Sequence, residues 1–229
     1  MDPARRSELH ERVAPFADVV AQPDASLDEM TLSLSKALQP DLDILGVMTE
    51  IDVLAADCPT PTRDGVMRFL RDDAGFAGDQ TDYHHWQNSC LDHVLDRRRG
   101  MPITLAVVAI EVARRVGVRL AGIGLPGHFL VGDPDDPRWF ADPYHGRTDL
   151  RRDECRNLLV RLGVRRWSDS FLEPVPSRLI VARMLNNLKL SCEHRDDGVR
   201  LAIVMHARQA LPEFSGEHDA AVEALAPLN

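Results

Sequence analysis

Residues 103–116 form the segment that most restricts the fold, because a helix built from them is apolar on almost every side. Pro102 suits the first turn of this helix, where its missing N–H costs nothing, and Gly117 is a natural residue to end it. A helix of this kind is buried rather than exposed at a surface. The chain of 229 residues, 44% hydrophobic and 28% charged, is long enough to enclose it in one sizeable domain with an appendage, or in two small domains.

The first third of the sequence is predicted to be helical. Ser26 and Glu29 have the spacing of a capping box and predict a helix that ends before Pro40. The segment 72–82 contains two glycines and is predicted to be a loop. Asn88 and Ser89 are expected to cap a helix that turns its leucines inward. Other helices are predicted over residues 5–20, 42–58 and 61–71.

The pattern changes to strands after Gly117. Residues 120–131 and 139–141 are predicted strands, and the turn-rich segment 132–137 joins them as a hairpin. If the hairpin is centred on Asp135, His128 lies directly opposite Asp142, with the two Cβ atoms about 5 Å apart. A bulge in either strand would disturb this register.

The C-terminal third is predicted to be helical again. Asp149 can cap a helix that runs to residue 162, and Pro174 and Pro176 mark a linker. Two more helices, over 178–192 and 198–211, are predicted to form a helical hairpin. The predicted domains are therefore residues 1–173 and residues 174–229.

Several motifs, taken in order, resemble those of the SirB-type transglutaminase-like family. They are Gly75-Phe76, Asn88-Ser89, Arg98-Arg99-Gly100-Met101-Pro102-Ile103-Thr104-Leu105, Gly124-Leu125-Pro126-Gly127-His128-Phe129-Leu130-Val131 and Asp142-Pro143. Arg183-Met184-Leu185-Asn186-Asn187-Leu188 resembles the start of that family's tetratricopeptide-like tail, which is short here. The resemblance covers residues 40–212.

The resemblance implies an α+β fold of the papain-like cysteine protease type, with N-terminal helices, a small antiparallel sheet and a C-terminal helical pair. Catalytic relatives carry a Cys at the start of the buried helix, a His on the following strand and an Asp or Asn on the next, which act as nucleophile, base and orienter. His128 and Asp142 match the His and Asp. Residues 100–103 stand where the Cys should be and offer no nucleophile. The SirB-type family shares this departure, which argues against thiol acyl transfer.

Six other residues are expected to line the former active-site cleft: Asn88, Ser89, Cys90, Pro102, Thr104 and Pro126. Cys90 is a candidate displaced nucleophile, since a thiol in the first turn of a helix has a lowered pKa. The family has a bulky aromatic residue there, which favours a packing role instead. The Thr104 hydroxyl, near the vacated nucleophile position, is another candidate with His128 as its base, but β-branched hydroxyls usually pack or bond to the backbone.

Composition restricts the partners and the compartment. A net charge of −9 disfavours nucleic acid as a partner. Four scattered cysteines without a CxxC indicate a reducing cytoplasm rather than a disulfide scaffold. The N-terminal residues do not resemble a signal peptide, and no apolar run approaches the ~20 residues that span a membrane. Neither a cofactor nor a metal is expected, since His84, His85 and His93 lack ligand spacing.

Two functions remain open. In the first, a transglutaminase-like pseudoenzyme binds a peptide or protein in the former cleft, and the helical tail adds a docking surface. In the second, a hydrolase or acyltransferase acts on amides or esters, with the His128–Asp142 dyad as general base on water, or on a substrate hydroxyl or amine. A third and weaker hypothesis uses Cys90. The partner is an unknown peptide, protein or small-molecule acyl substrate.

Overall fold

The computed structural model describes residues 3–215, which form nine α-helices and seven short strands. The helices are α1 (Pro3–Val20), α2 (Leu27–Leu38), α3 (Ile44–Ala56), α4 (Arg63–Arg68), α5 (Leu91–Arg97), α6 (Pro102–Arg115), α7 (Arg152–Arg161), α8 (Ser177–His194) and α9 (Gly198–Arg208). The strands are β1 (Ala77–Gly78), β2 (Arg99–Gly100), β3 (Ala121–Ile123), β4 (Leu130–Asp133), β5 (Asp136–Asp142), β6 (Arg147–Leu150) and β7 (Pro174–Val175). This mixture of helices with a small antiparallel sheet agrees with the predicted α+β class.

Helix α6 is the buried helix that its sequence predicts. Pro102 is its first residue, and Gly117 follows its last turn with a φ of 77°, a left-handed conformation that glycine adopts without strain. Even Glu111 is buried, which is possible because Arg115 binds it at 2.8 Å. Arg115 also binds the buried Asp28 of α2 at 2.6 Å. Helices α2, α3, α4, α5 and α8 and strands β3 and β4 pack around α6.

A five-stranded antiparallel sheet, in the order β6-β5-β4-β3-β7, packs on one side of α6. The prediction of one strand over 120–131 is wrong: the segment forms two strands, β3 and β4, which pair with each other. Gly127, with a φ of 73°, allows the chain to reverse between them. The predicted linker is also wrong, since Pro174–Val175 is the edge strand β7. Proline is tolerated there because an edge strand leaves one side of its backbone unpaired.

The N-terminal helices follow the prediction more closely. In the capping box of α2, the Ser26 N–H donates to Glu29 Oε2 at 2.7 Å, and the Glu29 N–H donates to Ser26 Oγ at 3.4 Å. Helix α1 packs against both α2 and α9. A π-helical turn, Phe69–Asp73, extends α4. The predicted loop over 72–82 contains β1, which pairs in parallel with β2.

Two predicted helix caps are wrong. Asn88 and Ser89 lie in a 3₁₀ turn, so Cys90 is the N-cap residue of α5. Asp149 lies in β6, and α7 begins after Arg151, whose N–H donates to Glu154 Oε2 at 3.0 Å. In both places, the residue that could have capped the helix belongs to the preceding element instead, which is the 3₁₀ turn for Asn88 and Ser89 and strand β6 for Asp149.

The predicted C-terminal helical hairpin is confirmed as α8 and α9. Leu185 of α8 and Val204 of α9 belong to the same large core as Phe16 of α1, and a smaller core lies between the sheet and α7. The division at residue 173 stays a prediction. Residues 1–2 and 216–229, part of the predicted tail, lie outside the described residues. Within residues 3–215, no helix has the length and apolar character needed to cross a membrane.

Candidate functional site

His128 and Asp142 are in direct contact. Nε2 of His128 lies 2.8 Å from Oδ2 of Asp142, and the two side chains are 5% and 2% exposed. The predicted contact is therefore present, while a catalytic role for the pair stays a prediction.

The two residues meet in a different register from the predicted one. Val131 lies opposite Ala141, and a bulge follows between Gly132 and Asp133. This pairing places position 130, not 128, opposite Asp142. His128 therefore lies on the loop before β4, and its side chain extends from that loop to the end of β5.

Arg183 of α8 fixes the loop that carries His128. Its Nη2 donates to the backbone oxygens of Leu125 at 2.7 Å and His128 at 2.8 Å. The guanidinium also lies over the ring of Phe129, 5.4 Å from its centroid. Burial lowers the pKa of Arg183 to about 10, so the side chain stays cationic at neutral pH. Helix α8 thus contributes a buried cation that positions the histidine.

Asp142 accepts four hydrogen bonds, and two of them come from His145. Oδ2 lies 2.6 Å from Nδ1 of His145 as well as 2.8 Å from His128. Oδ1 accepts from the backbone N–H groups of Tyr144 at 3.0 Å and His145 at 3.2 Å. The sequence reasoning missed His145. An Asp that begins a turn commonly binds the backbone two and three residues later, and this pattern in Asp142-Pro143-Tyr144-His145 was the available signal.

The hydrogen bonds set the charges of the site. Burial alone would raise the pKa of Asp142, but the bonds from His128 and His145 hold that pKa well below its ordinary value. The bond to Asp142 raises the pKa of His145, and partial burial opposes this shift. The site therefore contains a carboxylate anion with an imidazole on either side.

The ring of Tyr144 closes one side of this cluster. Its centroid lies 6.0 Å from that of His128 and 5.0 Å from that of His145, edge to face in both cases. The Tyr144 hydroxyl donates to the backbone oxygen of Asp79 at 2.9 Å, and the Gly78 N–H donates to the backbone oxygen of Tyr144 at 3.1 Å. Burial raises the pKa of Tyr144 to about 12, so the phenol is neutral. Strand β1 thereby supports the site from outside the main sheet.

The position of the missing nucleophile is packed. Met101, Pro102, Ile103 and Thr104 are all buried. The Ser89 hydroxyl donates to the sulfur of Met101 at 3.0 Å. Thr104 Oγ1 is buried and has no hydrogen-bond partner among residues 3–215. The Thr104 hydroxyl is therefore shielded from solvent and from a substrate that approaches from solvent.

All six residues predicted to line the cleft are buried, and their role as a cleft lining stays a prediction. Asn88 binds backbone instead: its Nδ2 donates to the Asp82 oxygen at 2.7 Å. Cys90 is 1% exposed, and burial raises the pKa of its thiol well above the ordinary value. The charge of Asp92 raises this pKa further, and the charge of Arg200 lowers it. A thiolate nucleophile at Cys90 does not fit these surroundings.

An open cavity of about 390 Å³ adjoins Asp142. It is lined by Asp142, His145, Arg147, Leu150, Glu154, Asn157, Leu158 and Arg161. The walls come from the end of β5, from β6 and from α7. The accessible face of the site is therefore the face of His145, whose side chain is 45% exposed.

The chain matches the family model described as "Transglutaminase-like superfamily" over residues 22–186. It is 42% identical over 129 residues to a UPF0162 protein of Xylella fastidiosa (strain Temecula1), an alignment that covers 54% of this chain and 46% of the relative. It is 29% identical over 217 residues to a UPF0162 protein of Pseudomonas aeruginosa, covering 89% of this chain and 78% of the relative.

A eukaryotic protein also shares part of the sequence. F-box only protein 21 of Mus musculus is 32% identical over 79 residues, which are 34% of this chain and 13% of that protein. The chain spans about half the length of the Xylella relatives it matches. No solved structure matches it significantly.

Proposed function

Because the chain belongs to the transglutaminase-like superfamily, we propose that it is an enzyme of amide or ester chemistry in which water replaces the cysteine nucleophile. One observation carries the proposal: Asp142 orients two imidazoles, and one of them, His145, lines an open cavity. A carboxylate that accepts four hydrogen bonds is held in one orientation, as an orienter must be.

His145 is the general base in this reaction. Its Nδ1–H donates to Asp142, which leaves the lone pair of Nε2 for a proton. The water oxygen attacks the acyl carbon while Nε2 accepts one proton of the water. That proton passes to the leaving amine or alcohol as its bond to the acyl carbon breaks, and Asp142 stabilises the intermediate imidazolium. His128, at 5% exposure, serves to hold the carboxylate.

A second candidate is the binding of a peptide or protein without catalysis. The packed start of α6 favours it, and so does the mixed lining of the cavity. Arg147, Glu154 and Arg161 supply both signs of charge beside two leucines, a surface that suits an extended peptide. The binding surface is then this cavity rather than the former cleft.

Finer assignments also belong to the proposal. The motifs over residues 75–143 support the SirB-type assignment, and the motif in α8 supports a tetratricopeptide-like origin for α8 and α9. The four free cysteines support a reducing cytoplasm.

Hydrolysis of a panel of fluorogenic amides and esters by the purified chain tests the catalytic proposal. His145→Ala is expected to lower kcat about 100-fold or more, the size of a general-base contribution. Cys90→Ala is the matched control and should leave kcat unchanged. Equal rates for wild type and His145→Ala, or loss of activity in Cys90→Ala alone, would contradict the proposal. Peptide binding without turnover, weakened by Arg161→Ala, would favour the second candidate.

A further inference from the structure

Three potential metal ligands converge at the site. One ligand atom from each of His128, Asp142 and His145 lies within 4.8 Å of the ligand atoms of the other two. Nε2 of His128 and Nδ1 of His145 both contact Oδ2 of Asp142. Within residues 3–215 no other group of three His, Cys, Asp or Glu side chains meets this condition. We propose that the three side chains form a binding site for a divalent first-row transition metal such as Zn²⁺.

The distances are compatible with coordination after small side-chain movements. Zinc–nitrogen and zinc–oxygen bonds are about 2.0–2.2 Å, so the ligand atoms of a tetrahedral site lie about 3.3 Å apart. The two N···O distances are 2.8 and 2.6 Å, and each must lengthen by roughly 0.5–0.7 Å to admit the ion. Rotation of the half-exposed His145 side chain can lengthen the His145–Asp142 distance, and the His128–Asp142 distance needs a shift of the buried pair.

The donor set selects the kind of ion. Two imidazole nitrogens and one carboxylate oxygen suit zinc, iron, nickel or copper rather than magnesium or calcium, which prefer all-oxygen sites. Three protein ligands leave one tetrahedral position open, as catalytic zinc sites do. Since Asp142 and His145 both line the 390 Å³ cavity, the open position lies on the cavity side.

Neighbouring groups hold two of the three ligands in place through hydrogen bonds. Asp142 Oδ1 is held by the N–H groups of Tyr144 and His145, which leaves Oδ2 for the ion. Arg183 fixes the backbone of His128 through its carbonyl oxygen. Arg147 and Arg161 bring positive charge to the cavity, but Glu154 pairs with Arg147 and offsets part of it.

The metal would supply the nucleophile that the chain lacks. Each imidazole binds through a nitrogen lone pair, and the proton now at that nitrogen moves to the other ring nitrogen or to solvent. A bound water gives one proton to solvent, and its hydroxide attacks the acyl carbon. The bond to the leaving group breaks, and that group takes a proton from solvent. This step rests on the proposed acyl chemistry and replaces His145 as the base, whereas metal binding itself does not depend on it.

Titration of the chelator-treated full chain with Zn²⁺ tests the site, by calorimetry and by competition with a chromophoric chelator. One ion per chain is expected, and bound Co²⁺ should give visible d–d absorption without a thiolate charge-transfer band. His145→Ala and His145→Gln should weaken Zn²⁺ affinity more than about tenfold. His84→Ala, at a half-buried histidine outside the group, should leave it unchanged. Circular dichroism checks that the variants are folded.

Absence of binding at micromolar Zn²⁺, or equal affinity in wild type and both His145 variants, would overturn the metal site. Its failure is distinguishable from failure of the proposed function. Hydrolysis by protein that binds no metal would refute the metal site and support His145 as the base. Stoichiometric, His145-dependent binding without hydrolysis of any amide or ester would support the metal site and refute the proposed chemistry.

Discussion

Replacing Gly78 with alanine should disturb the site from a strand that contributes no side chain to it. A Cβ added at Gly78 would lie 2.5 Å from Cδ2 and Cε2 of the Tyr144 ring and 2.6 Å from Cζ. Ordinary carbon contacts are about 3.5–4.0 Å, so the ring must move by about 1 Å. That ring lies against both histidines, and its hydroxyl is bonded to Asp79.

The cost follows from either way of relieving the clash. Overpacking costs about 1–3 kcal/mol. If the ring swings out instead, about 1 kcal/mol is lost with the Tyr144–Asp79 hydrogen bond, together with part of the buried ring surface. The reduced flexibility of the unfolded chain returns about 0.4–1 kcal/mol. We therefore expect the free energy of unfolding to fall by about 1–2 kcal/mol, equivalent to a Tm lowered by roughly 2–8 °C.

Urea unfolding of a double-mutant cycle measures this effect. Gly198→Ala is the matched control, since a Cβ there meets nothing within 4 Å, and it should be neutral or slightly stabilising. In a Tyr144→Ala background, Gly78→Ala should no longer destabilise, because the clashing ring is absent. If Gly78→Ala behaves like Gly198→Ala, or if its cost is the same with and without the Tyr144 ring, the argument is refuted.

Three other perturbations test separate parts of the structure. Arg183→Met should leave two buried carbonyl oxygens without a donor, which lowers the free energy of unfolding by about 1–3 kcal/mol for each, partly offset by removal of a buried charge. It should also lower kcat, because His128 is displaced. An unchanged kcat and an unchanged free energy of unfolding would contradict the role given to Arg183. The pKa of Asp79 is lowered to about 2, because hydrogen bonds from residues 81 and 82 outweigh the effect of burial. The ionised Asp79 therefore stabilises the folded state above its unfolded pKa of about 4, and this stabilisation is lost as the pH falls towards 2. Asp79→Asn should therefore cost about 1 kcal/mol at pH 7, after allowance for solvent screening, and the difference in urea midpoint from wild type should close below pH 4. Met101→Cys should not produce a reactive thiol, because the position is buried; fast labelling by iodoacetamide at pH 7 would contradict this.

The features that were predictable from the sequence are those fixed by neighbouring residues. The capping box of α2 needs only Ser26 and Glu29, and the burial of α6 follows from its own composition. The contact between His128 and Asp142 was also predictable, although the strand register that produces it was not. The shift in register arises at the bulge between Gly132 and Asp133, which depends on the whole hairpin rather than on a local signal.

The features that escaped prediction depend on distant pairings. Strand β7 exists because Val175 lies opposite Gly122, about fifty positions earlier in the chain, and two flanking prolines made the segment look like a linker. His145 escaped because a lone histidine after a turn is usually exposed and without a role. Its importance comes from the carboxylate of Asp142, which the turn brings within 2.6 Å of its ring.

The packing of α1 against α9 has a consequence for synthesis of the chain. The apolar face of α1, which includes Leu9, Val13 and Phe16, is made early, but α9 follows about 180 residues after α1 ends. At translation rates of about 5–20 residues per second, α9 is synthesised roughly 10–35 seconds after α1, and the apolar face of α1 lacks its contact with α9 during that time. A nascent chain stalled before α9 therefore exposes this surface on the ribosome, where it can recruit chaperones or associate with other nascent chains.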